Sequence, residues 1–395
     1  MDSCEEGKGI RTLSTVCEAA ETAGIHMVPN NPVQVLRFSE AINGNVRLLE
    51  LNPEVEKSLK QGDRVVIRGL ASDEAILCTE SKSFEVKVVE TSNTMLLCRD
   101  IQTPGKEAFT ASQSAGGGLI RQEVCGSACS YLELRPCRGH LSRLAEVLSE
   151  HQYAGPETEP DNFVAGYTFR DLLDLVQGSE DELWTGLKRC KACCIDGFWR
   201  LLSADYFEQA FDRIVQSLAE KDWPIYEVPV DECCELLTDL LPRVIIEHCL
   251  TCYGKKNDNG ATYCLDEELV SQFYAGYLLR RVAKFNYAEF MEVWQQTVPL
   301  GITVALEMLK GIALHDLTAR PPVVWHFPAN SLPYDVSPRF NALFQERTKW
   351  TLSDLRPYIE DLATPQQPLE AILLKHTRST MDVTGQKLYN SRHPL

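Results

Sequence analysis

TFRDLLDLVQGSEDELWTGLKRCKACCIDGFWRLL, residues 168–202, reads as one small module. Thr168 to Val176 spaces its apolar residues as a helix does, and Gly178 breaks it. Ser179 with Glu182 three residues later is a capping box, in which each side chain takes a free backbone N–H at a helix start. The second helix then runs through Arg189. Cys194 to Leu202 reads as two short strands around the tight turn at Asp196-Gly197. Helix, turn, helix and hairpin within about forty residues is the layout of a winged helix.

Weaker copies follow. Cys233 to Leu240 and Val244 to Tyr253 are helices, closed by Asn257-Asp258-Asn259-Gly260 and a strand at Thr262 to Leu265. Tyr287 to Thr297 and Val304 to Lys310 are closed by Ile312 to His315 and Val323 to Phe327. Leu352 to Leu362 and Leu369 to Thr377 are closed by Lys387 to Ser391. The helical starts recur at roughly 55–65 residues, a repeat length that fits three or four tandem modules.

Upstream the period changes. Val33 to Phe38, Val46 to Leu51, Arg64 to Arg68, Ala75 to Cys78, Phe84 to Val89, Met95 to Cys98, Leu119 to Val124 and Tyr131 to Leu134 are short β-rich bursts bounded by turn residues. Only Pro53 to Gln61 reads as a helix among them. So many short strands with so little helix predict an antiparallel sandwich or barrel. Thr103 to Gly118 reads as an exposed loop, Leu141 to His151 as an amphipathic helix, and Tyr153 to Pro160 as a linker.

The 395 residues are 44% hydrophobic and 24% charged, as in folded proteins, which excludes wholesale disorder. No stretch approaches the roughly 18 uninterrupted apolar residues of a membrane helix. The acidic start, Met1 to Glu6, has no apolar core behind it and does not read as a secretory signal, so a cytosolic or nuclear compartment is expected. Net charge is −17, so any nucleic-acid contact has to be local. From Leu306 onward ten Lys/Arg meet nine Asp/Glu, and in the last 25 residues Lys375, Arg378, Lys387 and Arg392 face only Asp382.

Fifteen cysteines, an odd number that includes the neighbours Cys193-Cys194 and Cys233-Cys234, do not read as a disulfide framework. Cys190-x-x-Cys193 and Cys249-x-x-Cys252, the latter after His248, invite a zinc reading. Their separation is far longer than a local zinc ribbon's, and within helical periodicity i and i+3 simply share a face, which favours core packing. Cys125-x-x-x-Cys129 joins no second pair. No Gly-x-Ser-x-Gly is present, and Gly116-Gly117-Gly118 lacks the Gly-Lys-Ser/Thr of a phosphate loop. Glu180-Asp181-Glu182 sits at a helix start, where it complements the dipole. No catalytic residue, metal site or cofactor is therefore expected. Trp199 and Trp294 read as core. Lys375, His376 and Arg378 end the last module's second helix, and Lys387, Tyr389 and Arg392 lie on its wing, the two elements by which a winged helix meets DNA. A solvated basic tail is the other reading of those six residues.

Several segments, in order along nearly the whole chain, resemble the Dcc-type sister chromatid cohesion proteins. They are Phe84 to Val89 with Glu90 to Thr94, Tyr131 to Pro136, and Glu247 to Leu250 with Cys252 to Gly254. Lys284 to Phe290 with Val293 to Pro299, Lys349 to Ile359, and Leu388 to Arg392 continue the series. The resemblance implies a non-catalytic subunit of the alternative, chromosome-transmission-fidelity clamp loader, related to replication factor C. It implies N-terminal strands that join a small cohesion subunit and the large subunit's C-terminal tail in a composite barrel. That barrel docks on the catalytic subunit of DNA polymerase epsilon, and C-terminal winged helices bind DNA. The complex acts on the sliding clamp in the nucleus and supports cohesion. Partner contacts are then expected at Phe84, Val86, Val88, Tyr131, Leu132 and Leu134. A barrel sharing strands with other chains leaves edges that need covering, so the isolated region should be sticky.

The expected fold is thus α+β and multidomain, an N-terminal antiparallel β-barrel-like domain followed by tandem winged helices. A flexible lead-in spans 1–30, the barrel 31–137, and a helix and linker 138–165. A winged helix spans 166–230, a winged-helix-like unit or helical spacer 231–284, and winged helices 285–345 and 346–395. The family is described with three winged helices, against up to four copies here. A winged-helix scaffold of a protein-only assembly, such as a ubiquitin-ligase or lid-type complex, is the alternative, and a zinc-dependent enzyme using the CxxC pairs is a third reading.

Overall fold

The computed structural model describes residues 12–25, 34–43, 46–99, 101, 120–159, 166–258, 260–363, 367–382 and 385–392. Two compact units result, Met1–Glu56 with Val86–Arg135, and Lys57–Glu85 with Pro136–Leu395. Up to residue 137 the elements are α1 (Leu13–Thr22), β1 (Gln34–Asn43), α2 (Pro53–Gln61), β2 (Val66–Arg68), β3 (Ile76–Cys78), β4 (Ser83–Cys98) and β5 (Ile120–Cys137). Val33, the loop 103–118 and Pro160 lie outside the described residues. Of the lead-in 1–30 only 12–25 is described, and there α1 forms behind a Thr12 cap.

In the first unit β5 lies between β1 and β4. β1 is parallel to β5, with Gln34 opposite Ile120 and Phe38 opposite Val124. In the second unit β3 pairs antiparallel with β2, Val66 opposite Cys78, and with the opening of β4, Leu77 opposite Phe84. Among the described residues neither arrangement closes on itself, so open sheets stand where a barrel was expected. The cause is strand length. Four expected short strands are two long ones of 16 and 18 residues, because Thr91-Ser92-Asn93 and Gly126-Ser127-Ala128 stay extended instead of turning. Val46–Leu51 makes only a bridge, with Leu132 N donating to Leu48 O and Leu132 O accepting from Glu50 N.

From residue 138 one order recurs four times: a helix, a short extended segment, two helical segments and a hairpin. The first round is α3 (Ser142–Ser149), Tyr167, α4 (Phe169–Leu175), α5 (Glu180–Arg189), β6 (Cys193–Ile195) and β7 (Phe198–Arg200). The second is α6 (Ala204–Glu220), β8 (Val228–Pro229), α7 (Val230–Leu237), α8 (Arg243–Tyr253), β9 (Gly254–Lys256) and β10 (Thr262–Leu265). The third is α9 (Glu267–Leu279), β11 (Phe285–Asn286), α10 (Tyr287–Thr297), a 3-10 turn at Leu306–Leu309, β12 (Ala313–Asp316) and β13 (Val323–His326). The fourth is α11 (Val336–Glu346), β14 (Trp350–Thr351), α12 (Leu352–Ile359), α13 (Leu369–His376), β15 (Thr377–Met381) and β16 (Lys387–Ser391). In every round the short segment pairs with the hairpin's second strand: Tyr167 with Trp199, β8 with β10, β11 with β13, β14 with β16.

Packing groups the rounds differently. Leu144, Leu172, Leu183 and Leu187 centre the first. The second and third share one continuous core, from Phe211 and Ile245 through Phe273 to Trp294 and Val324. The fourth centres another on Phe340, Trp350, Tyr358 and Ile372, joined by Leu314 of β12. Polar ties hold the first round in place. Glu182 Oε2 accepts from Ser83 Oγ at 2.5 Å and from Ser179 N at 2.9 Å, while its Oε1 accepts from Gly139 N at 2.7 Å. Asp361, from the fourth round, takes Arg189 Nη1 at 2.6 Å and Arg339 Nη1 at 2.5 Å, with Arg138 Nη2 at 4.0 Å.

Candidate nucleic-acid and partner-binding surfaces

The hairpin of the fourth round is set by its register. Thr377 faces Ser391, Arg378 faces Asn390, Ser379 faces Tyr389 and Met381 faces Lys387, and β14 adds Trp350 opposite Tyr389. Side chains alternate across a strand and paired residues share a face. Tyr389 and Lys387 are therefore on one face of the hairpin and Arg378 is on the other.

The six residues expected at a DNA surface separate accordingly. Lys375, Arg378, Lys387 and Arg392 are exposed. Tyr389 is buried at 8% exposure in the core with Trp350 and Tyr358, so its ring is structural and not available for stacking on bases. His376 lies flat against Phe340, ring centroids 5.3 Å apart at 8°, and is likewise engaged in packing. Arg392 Nη1 donates to Leu374 O and Lys375 O, both at 3.1 Å. It therefore answers the open carbonyls at the C-terminus of α13, where a cation also meets the negative end of the helix dipole. This brings Arg392 and Lys375 together. Lys387 sits apart, its Nζ 5.2 Å from the Tyr389 ring centroid. Beside these cations stand two bare apolar side chains, Leu374 at 79% and Met381 at 71% exposure.

The six expected partner contacts also divide. Phe84, Val86 and Val88 share a face of β4 by period, yet they run from fully buried through half-buried to 67% exposed. Tyr131 and Leu132 are half-buried and Leu134 is buried. Leu36, Phe38 and Leu96 add exposed apolar surface in the first unit. The alternation of Leu36 and Phe38 on β1 was the sequence signal for that pair. These exposed apolar residues lie on β1 and β4, with β5 between them, and single exposed apolar residues are ordinary.

Cys193 of the first pair comes near Cys249 and Cys252 of the second, and the three thiols act on one another, while Cys252 Sγ lies 3.5 Å from His248 Nε2. Cys193 opens β6, Cys249 and Cys252 lie on α8, and among the described residues no three His, Cys, Asp or Glu side chains are placed to hold a metal ion. Cys193 and Cys249 are buried. Burial pushes the Cys193 thiol up to about 12 and the Cys252 thiol up to about 11, so both are neutral groups at physiological pH.

Residues 46–359 match a family model described as sister chromatid cohesion protein Dcc1. The chain is 42% identical over 373 residues to the sister chromatid cohesion protein DCC1 of Xenopus tropicalis, covering 92% of this chain and 94% of that one. With the Homo sapiens protein of that name it shares 40% identity over 361 residues, 90% of this chain and 91% of the other. With the Danio rerio protein the identity is 37% over 393 residues, 98% of this chain and 100% of the other.

Proposed function

The chain belongs to the sister chromatid cohesion protein Dcc1 family, and on that premise we propose that it is a non-catalytic subunit of the alternative, chromosome-transmission-fidelity clamp loader, acting in the nucleus at replication forks. In this reading the four rounds are tandem winged helices. The first unit joins the large subunit's C-terminal tail and the small cohesion subunit, and the joint assembly docks on DNA polymerase epsilon. The fourth round meets DNA, and the sliding clamp is reached through partners that supply ATP hydrolysis. What carries the reading is the fourfold pairing of a short strand with the second strand of a hairpin. The exposed apolar side chains of β1 and β4, among them Phe38 and Val88, support the partner half of it.

Affinity purification from nuclear extract followed by mass spectrometry tests the assembly. Clamp-loader subunits and polymerase epsilon are expected, and their loss with Phe38→Lys and Val88→Lys would place the contact at these side chains. A different set of partners would overturn the reading. For DNA, Lys375→Glu, Arg378→Glu and Lys387→Glu together should weaken binding and lower the salt slope by about two to three, at roughly 0.9 per lost phosphate contact. Arg392 is left intact, because its substitution would also strip the end of α13. Unchanged affinity and slope would remove the fourth round from DNA contact. A protein-only scaffold is favoured by two observations, the net charge of −17 and the engagement of Tyr389 and His376 in packing. Recovery of partners by a chain with no DNA affinity would decide for it.

A further inference from the structure

A pocket of about 150 Å³ opens in the second unit between the segment after α5, helix α9 and the segment after β13. Its polar lining consists of Lys191, Tyr253, Gln272, Arg280, His326 and Asn330. No carboxylate lines it, in a chain whose net charge is −17.

Lys191 is the informative residue. It occupies a left-handed backbone position, φ 52°, directly after α5, where glycine or asparagine is the usual occupant. Its carbonyl accepts from His248 Nε2 at 3.0 Å, which fixes the segment. The Nζ stands 4.0 Å from the Tyr253 ring centroid and 5.5 Å from that of Phe207. These π faces compensate a desolvated ammonium only in part. The charged or chargeable groups that act on it are Cys252, Cys249 and Arg280. Burial pushes Cys252 up to about 11 and Cys249 well above its ordinary value, so neither thiol supplies a negative charge at neutral pH. Arg280 repels Lys191 and is itself paired with Glu208, which does not line the pocket. Burial holds Lys191 below its ordinary 10.5, and no carboxylate stands among the groups that act on it beside this cavity. Gln272, which also bonds Glu268 Oε1 at 3.2 Å, and Asn330 add neutral donors. His326, kept below its ordinary 6.5 by burial and by Arg280, adds one ring N–H.

We propose that this pocket binds one small oxyanion of the phosphate class, held by Lys191 and Arg280 with Gln272, His326 and Asn330 as neutral donors. The cavity is below the roughly 300–1,000 Å³ of pockets that take larger ligands, so a whole nucleotide is excluded. A bound anion would bridge the first and third rounds and stiffen the joint between them. The proposal does not depend on the clamp-loader reading.

The test is calorimetric titration of the full chain with inorganic phosphate in a chloride buffer at constant ionic strength, with thermal melts alongside. The expected result is a saturable heat and a rise in Tm for the wild type. Lys191→Gln and Arg280→Gln should each weaken binding by about tenfold or more, while Lys191→Arg retains it. Phosphate also stabilises proteins through exclusion from their surface, and the rise that persists in Lys191→Gln measures that general effect. Titration with O-phosphoserine separates a free ion from a phosphoryl group on a larger ligand, since only the latter source requires the pocket to admit it. Lys191→Gln removes a buried charge and should fold, and the wild-type titration is decisive even if it does not. No saturable heat for the wild type, or equal affinity in Lys191→Gln, overturns the proposal.

Discussion

Asp361 faces three guanidiniums. Arg339 is 1% exposed and gives Nη1 to Asp361 Oδ1 and to Tyr358 O, and Nε to Pro333 O at 2.6 Å. The Tyr334 ring lies under Arg138 at 4.1 Å and Arg189 at 4.9 Å. Breaking a buried pair from one side costs about 3–5 kcal/mol, because the partner charge is stranded. Asp361 is 36% exposed on its side chain, so the lower end, about 3 kcal/mol, is expected for Asp361→Asn from urea midpoints. Adding Arg339→Met should cost less than the two single changes summed, since the stranded charge is then gone. Full additivity would mean that the two side chains do not act as a pair. Three histidines act in a second way. Burial holds His248, His315 and His326 below their ordinary 6.5, against the bond to the Lys191 carbonyl at His248 and helped by Arg347 and Arg280 at the other two. Each takes up its proton more readily in the unfolded chain, so stability should fall as pH drops through 6.5. Asp171 and Asp316, held below their ordinary 3.8, act only at lower pH. Glu208, raised above 4.5 by burial, opposes the trend only in acid. Urea midpoints at pH 7 and 5.5 in phosphate-free buffer check this, and His248→Asn should flatten the profile. A midpoint that rises toward pH 5.5 would contradict it.

Helix starts show how the same signal can carry different weight. Ser179 with Glu182 and Thr168 with Asp171 are both complete capping boxes. Asp171 is exposed and serves only its own helix. Glu182 also accepts from Ser83 Oγ and Gly139 N, so its removal strands donors on two other segments. Asp171→Ala should cost about 1 kcal/mol, as a cap does, and Glu182→Ala about 2–3 kcal/mol through the unsatisfied donors. Equal losses in chemical denaturation would reduce Glu182 to a cap. Local chemistry of this kind was legible in the sequence, including the bounds of α10 and β10. Three long helices, α6, α9 and α11, were not assigned there, and each begins a round one element before the short strand. α6 shows the pattern plainly, with Ser203 as cap and buried Phe211, Ile214, Val215 and Leu218, but a layout of helix, helix and hairpin has no place for it. α9 lacks a polar stripe because seven of its residues are buried, so its period is weak. The barrel failed for another reason. Alternation marks extended backbone but does not distinguish a turn from a continued strand at Asn93 or Gly126.

At the scale of the molecule, the basic C-terminus could be read from composition, and four of its six residues are exposed. What composition could not show is depth. Tyr389 and Lys387 have the same period on β16, yet only one is in the core, and Phe84 and Val88 differ in the same way on β4. Depth is set by tertiary packing, which a strand's period does not encode. The second and third rounds share one apolar cluster, whereas the fourth centres another on Trp350 and Tyr358, to which β12 of the third round adds only Leu314 among the buried residues. Trp294 sits on the shared side. It is fully buried, stacks on Phe290 at 5.4 Å and gives its indole N–H to Ser271 O at 2.8 Å. Trp294→Ala should cost about 3–5 kcal/mol. In a shared core that loss is felt by both rounds, because opening follows cooperative units rather than sequence boundaries. Hydrogen exchange of the full chain should then quicken in α6 and α8, which carry no contact with the indole N–H, as much as in α10, while α12 and β16 keep their protection. Faster exchange confined to residues 267–326 would show instead that the rounds open one at a time, each as its own cooperative unit.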